Sequence, residues 1–168
     1  LDTIVVDKTM WEEYDELMQE VKDKIKGKGE SGLMSSTFPS LNKATGGIMK
    51  TDYVVIYGQY KQGKTTLAEQ LMLDIAFDSK AVGIFALEME RKSLYYKAIS
   101  MRTGIDYLKL RNPKGYGLTE DEFNHYDLIA RQKFSKTKIY VDDKTFNINR
   151  ILSKAKIWKR KFNIQLLV

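Results

Sequence analysis

The stretch 53–66 constrains this chain more than any other. It opens with Tyr53-Val54-Val55-Ile56-Tyr57, a short apolar run rich in β-branched and aromatic residues, the pattern of a buried parallel strand. Gly58-Gln59-Tyr60-Lys61-Gln62-Gly63-Lys64-Thr65 follows and fits G-x-x-x-x-G-K-[ST], a phosphate-binding loop. After Thr66, residues Ala68, Leu71, Met72 and Ile75 fall on one helical stripe. The motif therefore lies between a strand and a helix, the setting it requires. The rival reading is a glycine-containing turn that matches by accident. Four fixed positions in that setting count against it.

The chemistry accounts for the spacing. Gly58 and Gly63 are expected to take backbone angles closed to other residues, so that the loop wraps a phosphate. Amides along Gly58, Gln59, Tyr60, Lys61, Gln62, Gly63, Lys64, Thr65 and Thr66 then converge on the anion, aided by the helix N-terminus. Lys64 brings a point charge to the β- and γ-phosphates, and Thr65 offers a hydroxyl to Mg²⁺.

A chain of 168 residues is long enough for one domain with a real core. It begins at Leu1 without an initiator Met and ends within an apolar run, so it reads as a fragment at both ends. With no Cys and one His, it offers no disulfide framework and no thiolate or His-based zinc site. No apolar run nears the ~20 residues of a membrane span and no signal peptide is visible, which suits a cytoplasmic or nucleoplasmic protein with no membrane partner. The net charge of +6 is compatible with nucleic acid, but a lysine-rich solvated surface accounts for it better.

Residues 10–26 read as a helix, with Thr9 as N-cap and Glu12 completing a capping box. Trp11, Tyr14, Met18, Val21 and Ile25 form a narrow apolar seam. A glycine-rich linker follows to residue 32, dividing the chain into 1–32 and a domain from 33 to 168. The seam either packs back on its own domain or docks on a neighbouring subunit. Residues 36–51 read as a loop and short helix. Beyond the loop helix, strands are expected at 81–87, 138–141 and 164–168. Helices are expected at 93–101, stopped by Gly104, from the capping box Thr119/Glu122 to about Phe134, and from Asn147 or Asn149 to Phe162. In the last of these, Ile151, Ala155, Trp158 and Phe162 should face inward. The alternation predicts an α/β fold, a mostly parallel sheet with helices on both faces.

Glu88 stands where strand 81–87 runs out, at the carboxyl edge where open α/β sheets bind ligands. If that strand neighbours the loop strand, the Glu88 carboxylate can orient a water for attack on a γ-phosphate. On local pattern alone, a solvent-exposed strand-end Glu fits as well.

The chain resembles the helicase domain of DnaB-like replicative DNA helicases, within the RecA-like ATPases. The matching stretches are Phe38-x-x-Leu41-Asn42 with Thr45-Gly46-Gly47, Gly63-Lys64-Thr65-Thr66, Ile84-Phe85-Ala86-Leu87-Glu88-Met89, and Ile139-Tyr140-Val141-Asp142-Asp143. The resemblance implies a RecA-like domain whose C-terminal part is missing, with ATP and Mg²⁺ bound and Glu88 and Lys64 catalytic. It further implies a hexameric ring on single-stranded DNA, a primase or loader as partner, and helix 10–26 as the linker helix docking on the next subunit. The family's basic residue near the nucleotide, usually Arg, corresponds to Lys97, which lacks the planar guanidinium fork. Tyr60-Lys61-Gln62 departs from the family's small or Pro residues and marks a divergent, phage-like member. Asp142 and Asp143 resemble metal ligands but read better as strand-end caps, because the family's Asp follows the next strand and so falls past Val168. The basic residues of 144–161 read as a solvated helix surface rather than a nucleic-acid face. Two other functions fit the motifs: a RecA-like ATPase that is not a helicase, such as a recombinase or loader, and a nucleotide-holding assembly module without useful turnover.

Overall fold

The computed structural model describes residues 8–28 and 31–168; Gly29 and Glu30 of the expected linker lie outside them. Helix α1 (Met10–Ile25) forms with the capping box intact, Thr9 accepting from the Glu12 amide and Glu12 from the Thr9 amide. Acids in its first turn and lysines in its last suit the helix dipole. It buries none of its residues; Trp11 is 77% exposed. Among the described residues, nothing buries the seam.

Helix α2 (Pro39–Thr45) ends at Gly46, whose φ of 75° is left-handed. Asn42 closes the approach to α2 by bonding both the amide and the carbonyl of Ser35. Gly47 passes so close to Gly32 that a Cβ on Gly47 would sit 2.9 Å from the Gly32 carbonyl carbon. Thr45-Gly46-Gly47 is thus a cap followed by a backbone crossing, closed by the Leu33–Ile48 bridge.

Helix α3 (Lys64–Phe77) follows the glycine-containing loop. The sequence suggests one apolar stripe, but its second half is buried all round, Leu71 through Ala76 inclusive. Strand β1 (Ala81–Phe85) leads to α4 (Arg91–Thr103), ended by left-handed Gly104. A short helix not expected from the sequence, α5 (Tyr107–Arg111), is capped by Asp106. Helix α6 (Glu120–Phe134) carries the second capping box, strand β2 spans Lys138–Asp142, and α7 (Ile148–Phe162) is capped by Asn147. Strand β3 (Leu166–Leu167) closes the order.

The sheet runs β2-β1-β3, all parallel, with Val82 between Ile139 and Leu166. Side chains alternate across it. On one face Val82, Ile84 and Val141 join Met72, Leu73, Ile75 and Ala76 of α3 and Leu94 and Ala98 of α4 in the main core. On the other, Ala81 packs with Trp158 and Ile164, with Phe85, Tyr140 and Phe162 against them. Gly83 is required there: a Cβ would stand 2.8 Å from the Trp158 ring. Helices therefore cover both faces, as the alternation of elements predicts.

One expected strand is not formed. Residues 53–57 pair with nothing among the described residues, and Tyr53 is 92% exposed. Apolar β-branched residues fit a pleated surface, but a strand exists only where a neighbour completes its ladder. Both edges of β1 are taken, by β2 and β3. Segment 53–57 is therefore not a neighbour of β1, contrary to the condition placed on Glu88. Instead Tyr53, Val54 and Ile56 share a cavity of about 170 Å³ with Leu166, Leu167 and Val168.

Candidate nucleotide-binding site

The loop 58–63 bends differently from expectation. Gly63 has a φ of 84°, as foreseen, but Gly58 stays out of the left-handed region. The second left-handed position falls on Lys61, at 60°. Lys61 lies over the exposed Tyr60 ring, with Nζ 5.2 Å from its centroid. Gln59 fixes the middle of the loop: its carbonyl accepts from the Gln62 amide at 3.3 Å and from Lys64 Nζ at 2.7 Å. The Lys64 ammonium thus reaches back across the loop it follows. Gly63 is the N-cap of α3, so the free amides of the first turn open toward the loop. Thr65 and Thr66, on that turn, are exposed.

Glu88 arrives from the other side. It is exposed, in the bend after β1. That bend is tied at both ends to the end of β2: the Ala86 amide donates to the Asp142 carbonyl at 2.8 Å, and the Arg91 amide to the Asp143 carboxylate at 2.9 Å. The result is one cavity of about 360 Å³, lined by Lys64, Thr65, Glu69 and Glu88 with Ile56, Met89 and Val168 among its apolar wall. Lys64, Thr65 and Glu88 are brought together even though β1 does not adjoin segment 53–57.

Lys97 points at an acid that motif reading missed. Its Nζ lies 3.4 Å from Glu69 Oε1, and its other contact is Met89 Sδ at 4.0 Å. Glu69 follows Thr65 by one helical turn, and it is buried. Burial pushes its carboxyl up, and Lys97 offsets only part of that. Glu69 lies off the expected stripe of Ala68, Leu71, Met72 and Ile75, so nothing in the sequence signalled its burial.

Asp142 and Asp143 are engaged as caps. Asp142 accepts from Lys154 Nζ, from the Lys144 and Thr145 amides and from the Thr145 hydroxyl. Burial would raise its carboxyl, but these donors hold it far below the usual range. Asp143 receives the Arg91 amide and guanidinium. Neither carboxylate lines the cavity.

The family model "DnaB-like helicase C terminal domain" matches residues 32–168. Replicative DNA helicase DnaB of Pasteurella multocida is 28% identical over 121 residues, covering 70% of this chain and 26% of that protein. A probable replicative DNA helicase of Trieres chinensis is 29% identical over 145 residues, covering 85% of this chain and 31% of its own length. This chain therefore spans roughly a quarter to a third of such relatives. Among solved structures, one ATPase domain superposes with a TM-score of 0.76 at 23% identity, over 93% of this chain and 54% of that one. The structure of a DnaB-like replicative helicase and its interactions with primase gives 0.74 at 22%, over 93% and 36%. These two likenesses give the fold, a RecA-like α/β domain. A family model that takes in the loop, the Glu88 bend and all three strands leaves no doubt of kinship: the chain belongs to the DnaB-like helicase C-terminal domain family.

Proposed function

We propose that this chain is the motor domain of a replicative DNA helicase, which hydrolyses ATP to translocate on single-stranded DNA and unwind duplex. The observation that carries the reading is the shared cavity of Lys64, Thr65 and Glu88. The donor set fits Mg-ATP: a lysine ammonium, a threonine hydroxyl on the first turn of a helix, and left-handed Gly63 with open space beside it. Mg²⁺ held at Thr65 would supply charge neutralisation between the terminal phosphates. Lys64 would release the Gln59 carbonyl for phosphate oxygens. Glu88 would accept the proton of an attacking water, and its exposure gives water access. The bend that carries it is fixed at both ends, which lets an exposed carboxylate keep its place.

The single-stranded DNA partner, a hexameric ring, and a primase or loader partner belong to the same proposal. What supports the ring is α1, whose apolar seam finds no cover among the described residues. The test uses the full-length protein. Glu88→Gln should retain nucleotide affinity and lose hydrolysis by ~10²–10⁴-fold. Near-normal turnover in that variant, with weak turnover in Glu90→Gln, would assign the reaction to the other carboxylate. A DNA-stimulated ATPase that pairs strands but leaves a forked duplex intact would replace the helicase by a recombinase.

A further inference from the structure

Glu69 lies in the wall of the cavity shared by Lys64, Thr65 and Glu88, and it is 2% exposed. A buried carboxylate needs matching partners, and this one has a single partner among the described residues. Lys97 Nζ stands 3.4 Å from Oε1, longer than the ~2.7–2.9 Å usual for a charge-assisted bond. Oε2 is buried with no hydrogen-bond partner among the described residues. Lys97 is only partly buried, and its remaining contact is Met89, the neighbour of Glu88. Its charge therefore sits on a flexible stem between the loop helix α3 and the bend that bears Glu88.

We propose that Glu69 is a positioning residue that competes with nucleotide phosphate for Lys97, and so sets how strongly the site prefers a triphosphate over a diphosphate. The inference rests on the nucleotide-site reading above. A terminal phosphate at Lys64 and Thr65 offers Lys97 more negative charge than one long contact to Glu69. When Lys97 turns to that phosphate, Glu69 is left buried without its cation, which opposes the move. The opposition falls on the nucleotide whose third phosphate draws Lys97, not on the diphosphate. Glu69 thus weakens triphosphate binding relative to diphosphate binding, and removal of its charge should release the restraint.

The experiment measures dissociation constants of AMP-PNP and ADP, each with Mg²⁺, by calorimetry on the full-length protein. The variants are Glu69→Gln, Glu69→Met, Lys97→Met, and Glu69→Gln with Lys97→Met. Both Glu69 variants should raise the preference for AMP-PNP over ADP within the ~5–150-fold range of coupled sites. Lys97→Met should lower it, and the double variant should match Lys97→Met, because Glu69 acts only through Lys97. An unchanged preference in the folded Glu69 variants would overturn the proposal and leave a static ion pair. An effect of Glu69→Gln that persists without Lys97 would overturn it too. Failure of the underlying site reading looks different: Lys64→Ala would then leave the affinity for both nucleotides intact.

Discussion

Helix α3 carries two buried acids that live in opposite circumstances. Asp74 accepts from the Ser35 hydroxyl, from the Thr37 amide and hydroxyl at 3.0 Å each, from Gln70 at 2.8 Å, and from the Arg102 guanidinium. Glu69 has Lys97 and one empty oxygen. Asp74 joins the segment before α2, the body of α3 and the end of α4 into one clasp; Glu69 joins α3 to a single movable lysine. The difference teaches where this helix is structure and where it is available for work. A buried charge with all its acceptor positions filled resists rearrangement, because any change strands a donor. One held by a single movable cation can lose it, but is then left buried without compensation, and only that one contact opposes the move.

The contrast can be broken most forcefully at Asp74. Asp74→Ala should cost about 3–5 kcal/mol, because Arg102 is left without its carboxylate. Denaturant melts measure this, and a loss below about 1 kcal/mol would make the clasp ornamental.

Acid should do the same by degrees. Burial would raise the Asp74 carboxyl, but bonds from Ser35, Arg102 and Thr37 bring it down from 3.8 to about 2. A depressed acid stabilises the fold above its unfolded value. That stabilisation, about 2 kcal/mol, fades as pH falls from near 4 and is gone below about 2. The melting curves of the wild type and Asp74→Asn should therefore converge as pH is lowered across this window. Glu69 has the opposite sign: its carboxyl lies above 4.5, so its ionisation opposes folding at neutral pH.

Glu69→Met should accordingly leave stability at pH 7 within about 1 kcal/mol of wild type, since Lys97 can turn to water. A loss like that of Asp74→Ala would erase the distinction. The smallest expected effect on stability is that of Lys64→Ala, within about 0.5 kcal/mol, while tight Mg-ATP binding is lost. Calorimetry beside a thermal melt reads both. A Lys64→Ala protein that keeps its nucleotide, or unfolds, would mean that the first turn of α3 is structural after all.

What the sequence made legible was local. Thr9 with Glu12, and Thr119 with Glu122, marked two helix starts because a capping box needs only residues three apart. Gly104 marked an end, by a left-handed cap. Lys64, Thr65 and Glu88 were found by spacing and by position at a strand end, and they share one cavity. What escaped depends on distant residues. Segment 53–57 has the composition of a strand, yet pairing is decided by which strands stand beside it. The left-handed turn at Lys61 in place of Gly58 reflects how the loop closes on Gln59. Glu69 looked like an ordinary helix residue because nothing nearby in sequence shows that Lys97 faces it. The short helix α5 is five residues long, too brief for periodicity to speak.

The arrangement of the sheet has a consequence for how the chain is made. Its middle strand, β1, is flanked by β2 and β3, both of which come later in the sequence. On the ribosome, Ala81 to Phe85 emerge before either neighbour exists. Their backbone groups must wait, bare on two sides, until Lys138–Asp142 and then Leu166–Leu167 are synthesised. Helices α3 and α4, built from near contacts, form first and can shelter one face meanwhile. The opposite face is exposed until Trp158 of α7 closes over Gly83. The nascent chain should therefore be most prone to aggregate from the emergence of β1 until α7 and β3 are made, and that interval is where a chaperone would find it.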